Sequence, residues 1–190
     1  LRSLPFNDRR SFENASKGFI ATLDPLTIKR PDGSAVLDLS KFDFLNNEAP
    51  PTVNPSLWRQ AQLTAQHTGL FEVVEGIYQV RAFDISNMTL IQGETGWIIV
   101  DPLTSSESSR AALGLANEKI GHRDVVAVIH THSHADHFAG VFGVISPEQA
   151  EKGSIKIVAP EHFVDESLSE NVIAGNAMGR RATYMYGNLL

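Results

Sequence analysis

Four potential metal ligands lie within six residues, directly after a run of apolar side chains. The run is Val125–Ile129, and the ligands that follow it are His132, His134, Asp136 and His137. A short apolar run rich in β-branched residues is typical of a buried strand, so we expect the ligands at the end of that strand. Imidazole nitrogens and carboxylate oxygens are donors that Zn²⁺ prefers. The sequence therefore predicts a metal site at the edge of a sheet.

The spacing of these ligands predicts how the backbone must run. His132, His134 and Asp136 would share one face of a continued strand, whereas His137 would point to the opposite face. All four can converge only if the chain turns, so we expect a tight loop and then a helix that starts within residues 138–142. We predict two adjacent ions, one held by His132 and His134 and the other by Asp136 and His137, with Asp136 also acting in catalysis. Two such ions would lower the pKa of a water between them and make it a nucleophile.

A structural zinc site, or a chance cluster of histidines, is the alternative interpretation of the same residues. Structural zinc sites usually contain cysteine, and the chain has none. We therefore favour a catalytic site. His130 lies within the apolar run, one residue before Thr131, so we expect it to be packed or to support a ligand rather than to bind metal. His162 follows Pro160 and is predicted to lie on the surface or to cap a helix.

The motif and its flanking segments resemble the alkylsulfatases of the metallo-β-lactamase superfamily. The His-x-His-x-Asp-His pattern after a hydrophobic strand is similar to the signature of that superfamily. Residues 86–91, 94–103 and 174–188 are similar to the alkylsulfatases that cleave dodecyl sulfate. The resemblance implies an α/β fold of the αββα sandwich type, of which this chain would be the N-terminal portion. It also implies hydrolysis of alkyl sulfate esters with two Zn²⁺ ions per complete active site.

The resemblance has further implications for partners and location. Two ions need about three protein ligands each, and the motif supplies four in total. In the alkylsulfatases the remaining carboxylate and histidine ligands come from well downstream, so we expect the remainder of a longer polypeptide, or a C-terminal fragment, to supply them. A homodimer, and a periplasmic or secreted location, are also expected from the resemblance.

Other residues are assigned a role with the help of the same resemblance. Asp101 follows a predicted strand, 97–100, and is expected to accept a hydrogen bond from a metal-binding histidine; the alternative is an Asp that caps a turn or helix. Arg181, Tyr186 and Asn188 are candidates for sulfate binding because a tetrahedral anion favours guanidinium and amide donors. Surface charge or a salt bridge would explain Arg181 equally well.

The chain divides into an N-terminal extension, residues 1–70, and part of a catalytic domain, residues 71–190. The extension is predicted to hold a hairpin around the turn at 31–34 and a helix from about Leu57 to Gln66, and to wrap the catalytic domain or a second subunit. In the catalytic part we predict an antiparallel meander of three strands. A helix between Ser105 and Ile120 then crosses over to a parallel strand.

Composition excludes some classes of protein. With 42% hydrophobic and 20% charged residues, 190 residues suffice for one globular domain with a core. The net charge of −6 and the lack of a Lys/Arg run argue against a nucleic-acid surface. No stretch reaches the ~20 apolar residues of a membrane span. Two rival functions stay open: another hydrolase of the same superfamily, such as a thioesterase, lactonase or β-lactamase, and a non-catalytic subunit stabilised by metal.

Overall fold

Residues 4–186, which the computed structural model describes, form a mixed α/β structure with nine strands and six α-helices. The strands are β1 (Phe19–Ala21), β2 (Thr27–Lys29), β3 (Ala35–Asp38), β4 (Gly69–Val74), β5 (Ile77–Arg81), β6 (Met88–Gln92), β7 (Trp97–Val100), β8 (Val125–Ile129) and β9 (Lys156–Val158). The helices are α1 (Arg10–Ser16), α2 (Pro55–Gln66), α3 (Ser106–Ile120), α4 (Pro147–Glu151), α5 (Phe163–Leu168) and α6 (Gly175–Tyr186). Four further turns are 3₁₀ or π helical: Leu39–Asn46, Ala135–His137, Val141–Gly143 and Ser169–Ile173.

One seven-stranded sheet organises the described residues. Its strand order is β1-β4-β5-β6-β7-β8-β9, and a separate two-stranded sheet pairs β2 with β3. Neighbouring strands from β1 to β7 are antiparallel, whereas β7, β8 and β9 run parallel. The predicted meander (β5 to β7) and the predicted crossover through α3 are therefore confirmed. Because β7, β8 and β9 are parallel, their carboxyl ends lie at the same edge of the sheet.

The hydrophobic core lies between this sheet and α3. Along the meander, buried side chains alternate with less buried ones, as the two-residue period of a strand requires. Trp97 is fully buried, packs edge-on against Tyr78 and donates from Nε1 to Asn117 Oδ1 at 2.8 Å. Helix α3 contributes Ala112, Leu115 and Ala116 to the same cluster. Ser105 caps this helix by accepting from Ser108 N, as the sequence predicted.

The N-terminal extension contributes to the sheet. Strand β1 pairs with β4, where Phe19 lies opposite Phe71, so the extension supplies an edge strand. The predicted hairpin is confirmed as β2 and β3, and the predicted helix is α2, which begins two residues earlier, at Pro55. The boundary between extension and catalytic part at residue 70 stays a prediction, since β4 begins at Gly69 and spans it. Within residues 4–186, no helix combines the length and apolar character of a membrane span.

Two sequence predictions about the second half are wrong in detail. The helix expected to start within residues 138–142 is replaced by two short 3₁₀ turns, because Gly140 N donates to Leu103 O at 2.9 Å and draws the chain onto the start of α3. The sequence also predicts close packing of another segment at Gly175 and Gly179, but no described atom outside their chain neighbours and the helix's own backbone lies within 4 Å of a Cβ placed at either. For His162, the first of the two predicted roles is confirmed, because its side chain is exposed and caps no helix.

Strand β8 is less buried than its apolar sequence suggests. Val125 and Val128 are buried, but the other three side chains are partly exposed among the described residues. Residues 4–186 therefore leave three of the five side chains of β8 incompletely covered, and the prediction of a buried strand holds only in part.

Gly140 provides a test of how the segment after the metal motif packs. A Cβ at Gly140 would lie 2.2 Å from the carbonyl oxygen of Pro102 and 2.7 Å from that of Ser105. Because these are backbone atoms, Gly140→Ala should lower the free energy of unfolding by about 1–3 kcal/mol, as overpacking does. Gly114→Ala, within α3 and with open space around its Cβ, is the control and should raise stability by about 0.5–1 kcal/mol. Urea denaturation of both variants measures the difference, and equal stability would contradict the observed packing.

Candidate metal centre

The candidate site lies where parallel strands β7 and β8 end side by side. Val100 pairs with Ile129 in the last rung, and Asp101 N donates to Ile129 O at 3.0 Å. The next residues of each strand, Asp101 on one and His130 to His137 on the other, therefore emerge at the same edge. Sites in α/β proteins commonly form at this edge. The ligand motif and Asp101, which are far apart in sequence, meet here as the sequence predicted.

Asp101 is a buried carboxylate that accepts from three donors. Its Oδ1 accepts from Thr131 N at 2.8 Å, and its Oδ2 accepts from Thr131 Oγ1 at 2.6 Å and from His137 Nδ1 at 2.8 Å. Its backbone has φ of +55°, a conformation that Asp and Asn tolerate better than most residues. These contacts fix the backbone of the ligand loop and leave Nε2 of His137 for a metal ion. They support the role predicted for Asp101 over the capping alternative.

Thr131 extends this network to His132. Its hydroxyl has one proton, which goes to the Asp101 carboxylate, so the Thr131 oxygen is an acceptor for His132 Nδ1 at 2.9 Å. His132 is thereby held with its proton on Nδ1, and its Nε2 carries the free lone pair. Thr131 was missed in the sequence analysis. Its position directly before the first ligand gave no sign that its side chain joins the carboxylate to the imidazole.

The four ligands of the motif lie close together. The ring centroids of His132 and His137 are 4.1 Å apart, and those of His132 and His134 are 4.6 Å apart. Asp136 Oδ2 lies 3.2 Å from His137 Nε2, which allows these two side chains to face one cation. The assignment of His132 and His134 to one ion and of Asp136 and His137 to the other stays a prediction.

The donor set fits a zinc-type cation. One ligand atom from each of Asp101, His132 and His137 lies within 4.8 Å of the others. Both oxygens of Asp101 already accept hydrogen bonds, one of them from His137 Nδ1, so Asp101 holds His137 in this arrangement. Imidazole and carboxylate side chains at the end of a rigid strand are what a Zn²⁺ site requires.

Two residues support the loop from below and from the side. His130 is buried, donates from Nδ1 to His137 O at 3.2 Å and stacks on Phe163 with ring centroids 5.4 Å apart. Burial lowers the pKa of His130, so its ring is neutral near pH 7. Ser86, two residues before β6, donates to the carbonyl oxygen of Asp136. The packed role predicted for His130 is confirmed, whereas the contact of Ser86 was not foreseen.

The predicted sulfate-binding residues are not brought to the histidines in the part of the chain that is described. Arg181 and Tyr186 lie on α6 with exposed side chains. The one polar contact of Arg181 within residues 4–186 is with Met178 Sδ, at 3.7 Å. Asn188 lies outside the described residues. The role of all three stays a prediction.

Comparison with known proteins assigns the family. A family model described as the metallo-beta-lactamase superfamily matches residues 81–182, which is more than half of the chain. The chain belongs to this superfamily. The match covers β6, β7, α3, the ligand motif and most of α6. The fold type predicted from the motif is therefore confirmed, and the described residues correspond to the N-terminal portion of it.

The relatives with high similarity to this chain are alkylsulfatases. A linear primary-alkylsulfatase from Pseudomonas sp. is 52% identical over 100% of this chain and 28% of its own length. An alkyl/aryl-sulfatase from Saccharomyces cerevisiae is 46% identical over 100% of this chain and 29% of its own length. The solved structure of a stereoselective inverting sec-alkylsulfatase from Pseudomonas sp. covers 96% of this chain and 29% of that chain, with 46% identity and a TM-score of 0.90. The chain thus spans less than a third of the length of these relatives.

Replacing Asp101 tests whether it holds the metal ligands in place. In Asp101→Asn, the asparagine tolerates the same backbone conformation, but its side chain has only one acceptor oxygen. At least one of the hydrogen bonds from Thr131 or from His137 Nδ1 is therefore lost. We expect zinc affinity, measured by competition with a chromophoric chelator, to fall about 10- to 100-fold. Asp124→Asn is the control, because that carboxyl is 91% exposed and lies in the loop before β8. Unchanged affinity in Asp101→Asn would contradict the assigned role.

Proposed function

We propose that this protein is a zinc-dependent hydrolase of alkyl sulfate esters, with dodecyl sulfate as a representative substrate. The observation that carries the proposal is the 45–52% identity to three alkylsulfatases over nearly the whole chain. Within the chain, the residues that a metal-dependent hydrolase needs converge at one edge of the sheet. Hydrolysis would consume one water and release an alcohol and sulfate.

The residues of the ligand loop would each have a defined task. His132 and His134 would hold one Zn²⁺, and Asp136 and His137 the other. When bound, two such ions lower the pKa of water toward neutrality and neutralise charge on the sulfate oxygens. Asp136 would also act in catalysis, because its Oδ2 beside His137 can accept a hydrogen bond from the reacting water. Asp101 and Thr131 would keep His132 and His137 in their metal-binding orientation.

Substrate binding would involve residues beyond the loop. We propose that Arg181, Tyr186 and Asn188 donate to the sulfate group, while apolar side chains receive the alkyl chain. In residues 4–186 the side chains of Arg181 and Tyr186 are exposed. Guanidinium groups bind tetrahedral anions with charge-assisted hydrogen bonds.

The complete protein would supply what these residues lack. Two ions with about three protein ligands each need more than the four ligands of the motif. His134 is 57% exposed, so the loop is open to further ligands. We propose that they come from the remainder of the polypeptide, and that the complete protein is a homodimer located in the periplasm or secreted.

His134→Ala tests the catalytic role of the motif. The variant removes one proposed zinc ligand, so hydrolysis of dodecyl sulfate by the intact protein should fall by orders of magnitude, roughly 10²- to 10³-fold or more, while the fold survives. His122→Ala is the matched control, because that side chain is 78% exposed and pairs only loosely with Asp124. Release of sulfate measures activity, and circular dichroism measures folding. Retained hydrolysis in His134→Ala would contradict the proposal. If the protein hydrolysed a thioester, lactone or β-lactam instead of dodecyl sulfate, it would belong to another class of hydrolase.

Native mass spectrometry of the intact protein tests the metal content independently of turnover. Wild type should show two zinc-sized mass increments per subunit, and a substitution at Asp136 should remove at least one of them, because its carboxylate is a proposed ligand. The same spectrum reports the predicted dimer. One tightly bound ion per subunit, combined with no hydrolysis of dodecyl sulfate, is the result expected of a metal-stabilised subunit and would contradict a binuclear hydrolase.

A further inference from the structure

Glu170 lies beside the ligand loop, although it is 34 residues beyond Asp136 in sequence. Its Oε1 is 3.2 Å from Nε2 of His134, and its carboxyl is 25% exposed. Glu170 belongs to the π-helical turn Ser169–Ile173, which separates α5 from α6. Such turns are rare within helices and often occur at functional sites. No metal-ligand pattern surrounds Glu170 in the sequence, so its position could not be predicted to matter.

The segment that carries Glu170 is attached to the loop by other contacts. Ser167 Oγ donates to Ser133 O at 3.5 Å, and Asn171 Nδ2 donates to Ser167 O at 2.9 Å. At the start of α5, Phe163 packs on His130 and also lies edge-on to Phe138, with ring centroids 5.2 Å apart. The approach of Glu170 to His134 is therefore one of several contacts between the two segments.

Two histidines of the motif have Nδ1 hydrogen-bonded to a protein group. His137 Nδ1 is paired with Asp101, and His132 Nδ1 is paired with Thr131. His134 has no such hydrogen bond within residues 4–186, but its Nε2 lies 3.2 Å from the carboxylate of Glu170, within ion-pair distance. An imidazole that binds metal uses one nitrogen and commonly gives the proton on the other to an acceptor, which fixes the tautomer and the ring orientation.

We propose that Glu170 is a positioning residue for His134. It holds the proton of His134 on Nε2 and leaves Nδ1 as the nitrogen that binds the cation. His132 and His137, whose Nδ1 atoms are engaged, use Nε2 instead. The inference rests on the metal centre of the proposed function and adds a residue from a different helix to it.

The surroundings of Glu170 favour this role over direct binding of metal. Within residues 4–186, the one charged or imidazole partner of Glu170 is His134. A positioning residue needs only that one partner, whereas a ligand must meet several others around one ion.

The test compares two substitutions at Glu170 in the intact protein. Glu170→Ala removes the acceptor, whereas Glu170→Gln keeps an oxygen that can accept from Nε2. Zinc affinity, measured by chelator competition, should fall about 10- to 100-fold in Glu170→Ala and much less in Glu170→Gln. Glu166→Ala, one turn earlier on α5 and exposed, is the matched control and should bind zinc as wild type does. At saturating Co²⁺, all variants should give the visible spectrum of wild type, because Glu170 is not itself a ligand.

Other outcomes would overturn the inference. Wild-type zinc affinity in Glu170→Ala would mean that the pairing has no influence on the site. An equal loss in both variants, with a changed Co²⁺ spectrum, would make Glu170 a ligand instead. The proposed function fails separately, namely if wild type binds zinc but does not hydrolyse dodecyl sulfate, and the comparison of zinc affinities would then still decide the role of Glu170. A wild-type protein that binds no zinc would overturn both.

Discussion

The arrangement of the site depends on one buried carboxylate. Asp101 accepts from the backbone and hydroxyl of Thr131 and from His137, so it joins the end of β7 to the loop that follows β8. A buried carboxylate is tolerated only when its oxygens are satisfied, and an unpaired buried polar group costs about 1–3 kcal/mol. The hydrogen bonds that satisfy the carboxylate therefore also fix two imidazoles of the candidate site, His137 directly and His132 through Thr131.

The sheet makes this network rigid. Parallel pairing of β7 and β8 places Asp101 and the loop at the same edge. Ser86, in the segment that leads into antiparallel β6, contacts the backbone of Asp136 at that edge. Below the loop, His130 holds the carbonyl of His137. Beyond the loop, Gly140 fits against the backbone before α3. The loop is thus supported by several elements that are themselves part of the core. Such support keeps the side chains of a site in a fixed geometry.

The elements that could be predicted from sequence are those whose signal is local or follows from strand direction. The alternation along β5 to β7, the capped start of α3 and the meeting of Asp101 with the ligand motif belong to this class. The helix expected after Phe138 did not form, because a hydrogen bond from Gly140 to Leu103 is a tertiary contact that no local pattern records. The same holds for Thr131 and Glu170. Their roles depend on where a side chain points and on how α5 packs, and neither leaves a periodicity in the sequence.

The partners of the three histidines also bear on how charge is distributed over the site. A carboxylate partner strengthens an imidazole as a metal ligand more than a neutral hydroxyl does, because it stabilises positive charge on the ring. His134 faces Glu170, His137 faces Asp101, and His132 has only the hydroxyl of Thr131. If His132 and His134 bind one ion and Asp136 and His137 the other, each ion receives one imidazole that has a carboxylate behind it. The two carboxylates come from different elements, β7 on one side and the π-helical turn on the other, so the two halves of the site are supported independently.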